Sequence, residues 1–190
     1  MAKNHWHEPY PSSLPALATK CDYAVTKIKS LLRRRDCPTL ADLYQPARGK
    51  MARQTDIFHQ QEYEANTRLN ARARVQNELK GLYVFAELNA KGQAMPCYVG
   101  ISRSIFRRLR QHGWGKLHNE ATLAYLKAST GHQYTGERKH FPLAKIVAEQ
   151  EVIRRYRVAI VPETLDYDLH FMEVYIAGKL KTRWNSFRTH

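Results

Sequence analysis

The sequence predicts a mixed α/β protein in which three short strands lie among helices and a helical extension comes first. Residues 81–88 and 155–161 alternate their side chains with the period of two that is typical of strands. Before residue 81, apolar side chains recur instead every three to four residues, as they do in helices. Hydrophobic residues make up 43% of the 190-residue chain and charged residues 25%, the composition of an ordinary globular protein.

The first 79 residues are predicted to form a helical extension that serves DNA binding or dimerisation. Residues 1–14 contain prolines without periodicity and predict a tail, and 16–35 predict a helix. A short helical turn is expected at 40–44. A long polar helix is predicted over 56–80, and its weakly apolar surface leaves three roles open: packing on a partner subunit, lying along nucleic acid, or bridging two parts of the chain.

Residues 80–190 are predicted to form a second unit that begins with an antiparallel hairpin. Strands at 81–88 and 95–101 flank a segment rich in turn-forming residues. The remaining elements are expected in this order: helices at about 103–112, 119–130 and 141–151, the strand 155–161, and a helix at about 169–180 capped by Asp166 or Asp168.

The charge of the chain indicates a polyanionic partner. Lysine and arginine total 31 against 17 acidic residues, which gives a net charge of +14 and a pI of about 9.9. Nucleic acid is the usual partner of such a surface, although a solvated basic surface or attachment to ribosomes or membranes would also fit. No apolar run approaches the ~18 residues of a transmembrane helix, and no secretory signal begins the sequence, so we expect a cytoplasmic protein.

The three cysteines do not indicate a disulfide framework or a zinc site. Cys21, Cys37 and Cys97 are odd in number and widely spaced, and no histidine pair with metal-binding spacing accompanies them. We therefore expect reduced thiols.

Two tripeptides and the helix after them combine into a candidate phosphate site. Gly81-Leu82-Tyr83 and Tyr98-Val99-Gly100 are each common in strands. In the following helix, Arg108 and His112 are four residues apart and therefore share one face. A guanidinium beside two strand tyrosines would make a preformed seat for a phosphodiester.

Glu173 is predicted to lie within the inward face of the last helix, which Leu169, Met172 and Ile176 define. A carboxylate in that position is costly unless it is paired or binds a cation. A salt bridge to a neighbouring arginine is the alternative to a metal ligand.

Taken in order, these residues resemble the GIY-YIG nuclease family. Its members include homing endonucleases, the incision protein of bacterial nucleotide excision repair and some restriction enzymes. The match covers about residues 80–187: after the two tripeptides come Arg108, His112, Glu173, and Asn185 twelve residues later. The resemblance implies a small three-stranded antiparallel sheet flanked by helices.

The resemblance also implies a role for each residue. Tyr83 would be the general base, acting as a phenolate; Tyr98 and His112 would position phosphate or water; Arg108 would bind the scissile phosphate; Glu173 would hold one Mg²⁺ or Mn²⁺; Asn185 would brace the site by hydrogen bonds. Several members carry a lysine where this chain has Cys97 or Ile101.

The missing lysine leaves the activation of Tyr83 open. Lys116, or Arg108 together with His112, could supply the positive charge that lowers a phenol pKa. Lys116 and His118 are also candidate substrate-binding residues, because loops between core elements often determine specificity. The alternative is an ordinary loop before a helix capped by Asn119.

The function predicted from these residues is that of a metal-dependent DNA endonuclease, of the type II restriction class. The alternatives are a non-catalytic DNA-binding protein on the same scaffold, a repair or recombination nuclease, and an RNA-binding protein. Double-stranded DNA is the expected substrate. A single site cuts one strand, so a double-strand cutter would need a homodimer, which the predicted helix 56–80 could support.

Overall fold

The computed structural model describes residues 10, 13–66, 78–117 and 119–185 as a mixed α/β fold. Its elements, in chain order, are α1 (Leu14–Arg33), β1 (Tyr44–Ala47), β2 (Lys50–Arg53), α2 (Thr55–Gln60), β3 (Gly81–Leu88), β4 (Ala94–Ser102), α3 (Ile105–Trp114), α4 (Thr122–Gly131), α5 (Leu143–Ile153), β5 (Arg157–Pro162) and α6 (Asp166–Leu180). The predicted fold class, a small three-stranded antiparallel sheet flanked by helices with a helix at the N-terminal side, is confirmed. None of the described helices is long and apolar enough to cross a membrane.

The main sheet has the order β4-β3-β5, with both pairings antiparallel. The chain covers both of its edges. On the β5 edge, the Val158 amide donates to Pro38 O at 2.9 Å and the Leu40 amide donates to Tyr156 O at 2.9 Å. On the β4 edge, the Trp184 amide donates to Cys97 O at 3.0 Å. Within the described residues, these contacts satisfy part of the hydrogen-bonding capacity of both edge strands.

Strand β3 is buried on both faces, whereas its alternating pattern had predicted a half-buried strand. Leu82 and Val84 pack with α1 and α6 on one face. Tyr83 and Phe85 pack with α3 and the other helices on the opposite face. The prediction was wrong because the strand alternates aliphatic with aromatic side chains, and both classes are buried here.

The N-terminal part of the chain contributes to both layers of this core. Helix α1 matches its prediction: the side chain of Ser13 accepts a hydrogen bond from the Ala16 amide at 3.3 Å, and six apolar side chains of the helix are buried. Leu40 and Leu43 are buried in the layer that holds the tyrosines. The boundary at residue 80 stays a prediction, as does the predicted tail, most of which lies outside the described residues.

The predicted helix 56–80 is wrong over the part that the structure describes. Helix α2 ends at Gln60, and 61–66 and 78–80 are not helical, while 67–77 lie outside the described residues. Tyr63 turns into the core beside Phe58, with 4% of its surface exposed, and its hydroxyl accepts a hydrogen bond from the Ile160 amide at 3.2 Å. Tertiary packing overrides the weak helical pattern here.

Ion pairs fasten the start of α6 to the sheet. Asp166 pairs with Lys80 at 3.0 Å and with Arg103. Lys20 of α1 pairs with Glu163 at 2.5 Å and with Asp168 at 2.6 Å. The acids predicted to cap α6 lie in its first turn instead, since the cap position is Leu165, and there they face the positive end of the helix dipole.

Replacing Asp166 with asparagine should lower the free energy of unfolding at pH 7 by about 1 kcal/mol, a value reduced by the partial solvent screening of this pair. Hydrogen bonding to Arg103 and Lys80 lowers the pKa of Asp166 to about 2. A lowered folded-state pKa means that the contribution is present above the unfolded value of about 3.9 and is lost as pH falls toward 2.

Urea denaturation between pH 2 and 7 measures this effect. Asp56→Asn is the control, because Asp56 is an exposed acid in the first turn of α2. The stabilising role of the Asp166 ion pairs would be contradicted if both variants lost the same free energy of unfolding. It would also be contradicted if the loss in Asp166→Asn did not decrease toward pH 2.

Candidate functional site

Tyr83 and Tyr98 lie side by side on the same face of neighbouring strands. The register places Phe85 opposite Tyr98 and Gly100 opposite Tyr83, and the two tyrosine ring centroids are 6.3 Å apart. Tyr83 is 1% exposed and Tyr98 is 9% exposed. The two hydroxyl groups therefore belong to one largely desolvated cluster.

The glycines of both tripeptides are explained by close contacts. A Cβ on Gly100 would lie 2.4 Å from the Tyr83 hydroxyl oxygen, because the tyrosine ring lies across β4 at this residue. A Cβ on Gly81 would lie 2.4 Å from Val161 O, where β3 and β5 approach each other. Only a residue without a side chain leaves room at either position.

His112 enters this cluster from α3. Its Nε2 lies 2.8 Å from the Tyr83 hydroxyl oxygen, and its ring centroid is 5.6 Å from each tyrosine ring. The side chain is fully buried, and among the described residues nothing is hydrogen-bonded to its Nδ1. Burial, with a smaller effect from the charge of Arg108, holds the pKa of His112 well below its usual value. The imidazole is therefore neutral at pH 7.

The residues just before β3 fix the position of α3. The Glu78 carboxylate accepts a hydrogen bond from the Phe106 amide at 3.1 Å, and Leu79 O accepts one from the Ile105 amide at 2.8 Å. These contacts satisfy amides that the first turn of a helix leaves without partners. Burial raises the pKa of Glu78 above its usual value. Sequence reasoning missed this role, because Glu78 and α3 are far apart in the chain.

Arg108 is oriented by the loop that leads into α4. Its Nη1 donates to Asn119 O at 3.3 Å and to Glu120 O at 3.1 Å, and its Nη2 donates to Thr122 Oγ1 at 2.8 Å. Arg138 also donates to Thr122 Oγ1, at 3.3 Å, so a second guanidinium lies nearby. Neither Thr122 nor Arg138 was predicted, because their proximity to Arg108 depends on how α4 and the turn at Arg138–His140 fold back.

Burial raises the pKa of both tyrosines, and Arg108 opposes the rise. Desolvation is the largest effect on Tyr83, whose pKa lies well above its usual value; the positive charge of Arg108 and hydrogen bonding to it act in the other direction. The same causes act on Tyr98. Both phenols are therefore protonated at pH 7. Of the pair Arg108 and His112, predicted as one replacement for the missing lysine, only Arg108 supplies positive charge to Tyr83, and its effect is smaller than that of desolvation.

Glu173 approaches the tyrosines from α6. Its negative charge raises the pKa of both Tyr83 and Tyr98. It is half-buried at the edge of the inward face of α6, whereas the prediction placed it within that face. Burial raises its own pKa, with a small opposing effect from His170. Over the described ranges the carboxylate has no hydrogen bond or ion pair, so the alternative of a salt bridge to arginine is not observed there.

This carboxylate fits a hard divalent cation. Mg²⁺ is often held by one or two carboxylates, with waters and substrate phosphates completing its coordination. Within 10, 13–66, 78–117 and 119–185, no three histidine, cysteine or acidic side chains cluster in a way that could enclose a metal.

Asn185 joins the segment after α6 to the edge of β4. Its Oδ1 accepts from the Val99 amide at 2.8 Å, and its Nδ2 donates to Val99 O at 2.7 Å. Thr182 Oγ1 also donates to Asn185 Oδ1 at 2.8 Å. The amide side chain therefore replaces a strand neighbour directly beside Tyr98. Its bracing role in catalysis stays a prediction.

Other sequence candidates lie elsewhere. Lys116 is exposed and lines a groove with Lys50 and Arg110. His118 lies outside the described residues. Cys97 and Ile101 stand where several GIY-YIG nucleases carry lysine. Cys97 is buried with its Sγ 3.4 Å from Phe85 O, and Ile101 packs on the face of the sheet opposite the tyrosines.

Comparison of the chain with models of protein families, with curated proteins and with solved structures gave no significant match.

Replacing Gly100 with alanine should displace the Tyr83 ring and lower the free energy of unfolding by about 1–3 kcal/mol, the usual cost of overpacking a core. Urea denaturation measures the loss. Gly131→Ala is the control, because a Cβ there meets nothing within 4 Å at the end of α4, so that change should be neutral or slightly stabilising. A Gly100→Ala protein as stable as the control would show that the ring does not require the glycine.

Proposed function

We propose that this protein is a metal-dependent DNA endonuclease that hydrolyses phosphodiester bonds, of the type II restriction class. The observation that supports this most strongly is the meeting of a buried Tyr83–His112 hydrogen bond, the Arg108 guanidinium and the Glu173 carboxylate at one place. They come from β3, α3 and α6, and the same residues carry the resemblance to GIY-YIG nucleases.

Arg108 is suited to bind the scissile phosphate. Contacts with the loop before α4 restrict the orientation of its guanidinium, and an oriented guanidinium stabilises a phosphoryl transition state without reorganising. Tyr98 lies beside it and can donate a hydrogen bond to a phosphate oxygen or to water. A Mg²⁺ or Mn²⁺ ion held by Glu173 would supply positive charge to neutralise the developing charge on the phosphoryl oxygens.

The Tyr83–His112 hydrogen bond provides a route for the proton of the attacking water. A free phenolate is scarce at neutral pH, because burial raises the pKa of Tyr83. Instead, Tyr83 passes its hydroxyl proton to the Nε2 of neutral His112, 2.8 Å away, and takes a proton from the water as the water oxygen attacks phosphorus. The bond from phosphorus to the leaving 3′-oxygen then breaks, and the 3′-oxyanion takes a proton from solvent water. His112 later returns its proton to Tyr83, and Tyr83 releases the proton taken from the attacking water to solvent.

Double-stranded DNA is the proposed substrate and the cytoplasm the proposed location. The net charge of +14 favours association with a polyanion. A homodimer would allow both strands to be cut. The dimer prediction rested on a helix over 56–80, of which the described part is helical only to Gln60.

A non-catalytic DNA-binding protein is the second candidate. The high pKa of Tyr83 and the absence of lysine at residues 97 and 101 favour it, because both remove a usual means of forming a phenolate. It differs from the first candidate in one measurable respect, since it binds duplex DNA without cutting it.

Glu173→Gln and Arg108→Ala should each lower the rate of DNA cleavage in Mg²⁺ by about 100-fold to 1,000-fold, the cost of removing one electrostatic contact to the transition state. The assay follows cleavage of phage and plasmid DNA. The controls Glu64→Gln and Arg155→Ala change exposed residues of the same types and should cleave like the wild type.

Cleavage that persists in both site variants would overturn the site assignment. A wild-type protein that binds but does not cut any DNA tested would favour the second candidate.

The cleavage rate should be nearly constant between pH 7 and 9, because the pKa of His112 lies well below this range and that of Tyr83 well above it. His112→Phe removes the proton acceptor, so its rate should be about 100-fold lower at pH 7 and should rise about tenfold per pH unit as phenolate forms. Single-turnover rates measure both profiles. A wild-type rate that itself rises tenfold per unit would mean that a free phenolate is the base.

A further inference from the structure

A separate two-stranded hairpin, β1–β2, packs against α3. Its two-residue turn, Arg48–Gly49, has positive φ angles of 46° and 73°, as required by the tight turns that suit hairpins. The Gln54 amide donates to Leu43 O at 3.0 Å, so the chain leaves and re-enters the fold at one point. The hairpin adds no strand to the main sheet.

The two faces of the hairpin differ in character. The inner face holds it on α3: the Tyr44 hydroxyl donates to Phe106 O, and the Arg53 guanidinium lies 4.3 Å from the Phe106 ring centroid. The outer face carries only small or polar side chains, which are Gln45, Ala47, Lys50 and Ala52. A protein partner would usually require apolar anchors, and this face has none.

A groove of about 770 Å³ runs between the hairpin and the end of α3. Lys50, Arg110 and Lys116 line it. Its acidic lining residue, Glu120, is already engaged, because its carboxylate accepts from the Lys116 amide at 3.1 Å and from Gln111 Nε2 at 3.1 Å. The groove is therefore positively charged and complements a polyanion.

The groove and the candidate active site share α3 and the loop before α4. Arg110 in the groove and Arg108 in the site lie two residues apart on α3, hence on nearly opposite sides of a cylinder about 10 Å across. The loop that lines the groove at Glu120 also holds Arg108 through its carbonyl groups. A polymer of duplex size could contact both surfaces at once.

We propose that the β1–β2 hairpin is a DNA-reading arm that enters the major groove of duplex DNA beside the cleavage site. Arg48 and Lys50 contact phosphates, and the outer-face amide of Gln45 faces base edges, where a glutamine can pair with adenine. The major groove of B-DNA is about 12 Å wide and admits a two-stranded ribbon, whereas that of A-form RNA is too narrow. The inference rests on the proposed function for the choice of DNA as the polymer.

The test measures binding of a 30-base-pair duplex by the full chain in Ca²⁺, without requiring cleavage. Arg48→Ala/Lys50→Ala should weaken binding at least about tenfold and reduce the slope of log K against log salt by about 1.8, the value for two lost phosphate contacts. Lys27→Ala/Lys29→Ala removes the same charge from the exposed surface of α1 and should change affinity by less than about threefold. Thermal melts establish that both variants are folded.

A second variant tests base reading. Selection from a random duplex pool should give a defined sequence with the wild type and a relaxed one with Gln45→Ala, which should bind the selected duplex about 5- to 150-fold more weakly. Duplex RNA should bind the wild type and the Arg48/Lys50 variant equally.

Equal affinities of the hairpin variant and the α1 control for DNA would overturn the proposal, as would equal losses for duplex DNA and duplex RNA, or a wild type that binds no DNA. The nuclease proposal fails separately. If the wild type binds DNA through the hairpin but does not cut it, the DNA-reading arm is supported and the endonuclease proposal is contradicted. If the Arg48→Ala/Lys50→Ala variant cuts DNA as fast as the wild type, the endonuclease is supported and the arm is contradicted.

Discussion

The hydrogen bond between Tyr83 and His112 depends on an interior that excludes water. Both side chains are almost fully buried, so neither polar group can exchange its partner for solvent without opening the core. Each would carry a large desolvation cost if it were left alone. Burial moves the two pKa values apart, which keeps the phenol protonated and the imidazole neutral, and thereby makes one a donor and the other an acceptor over a wide pH range.

The two-sided burial of β3 makes this interior possible. On one face α1 and α6 supply aliphatic side chains, so the aromatic layer on the other face rests on a rigid support. Gly100 lets the Tyr83 ring lie across the neighbouring strand, and Gly81 lets β5 approach from the other side. Glu78 accepts a hydrogen bond from the first turn of α3 and so fixes the position from which His112 reaches the tyrosines.

Charge is arranged unevenly around the aromatic layer. Arg108 is held by carbonyl groups that cannot neutralise its charge fully, while Glu173 forms no hydrogen bond or ion pair with the residues that the structure describes. A phosphodiester brings negative charge that suits Arg108, and a divalent cation brings positive charge that suits Glu173. The chain therefore leaves one cationic and one anionic group beside the same pair of tyrosines, an arrangement that suits the proposed substrate and metal ion.

The three strands of the main sheet, most helices and the shared face of Arg108 and His112 follow from the sequence by itself, because period and spacing act locally. Strands β1 and β2 were not predicted, since a short helical turn was expected at 40–44. The hairpin itself follows from the sequence, but a bulge between Phe85 and Ala86 decides its register. Without the bulge, the pairing of Ala86 with Pro96 would continue to Val84 opposite Tyr98, on the face away from Tyr83. Prediction did less well at residues 56–80, where polar composition favoured a helix but burial of Phe58 and Tyr63 in the core ended it at Gln60.

Only the tertiary structure decided the remaining features of the site. Thr122, Arg138 and Glu78 are distant in the chain from the groups they contact, so no local pattern could reveal them. The same holds for the 2.8 Å contact of Tyr83 with His112, which depends on the packing of α3 against β3 and β4. The tertiary structure also decides the protonation states of Tyr83 and His112. Their pKa values depend on desolvation, and desolvation depends on how many atoms surround each group, which the sequence alone does not reveal.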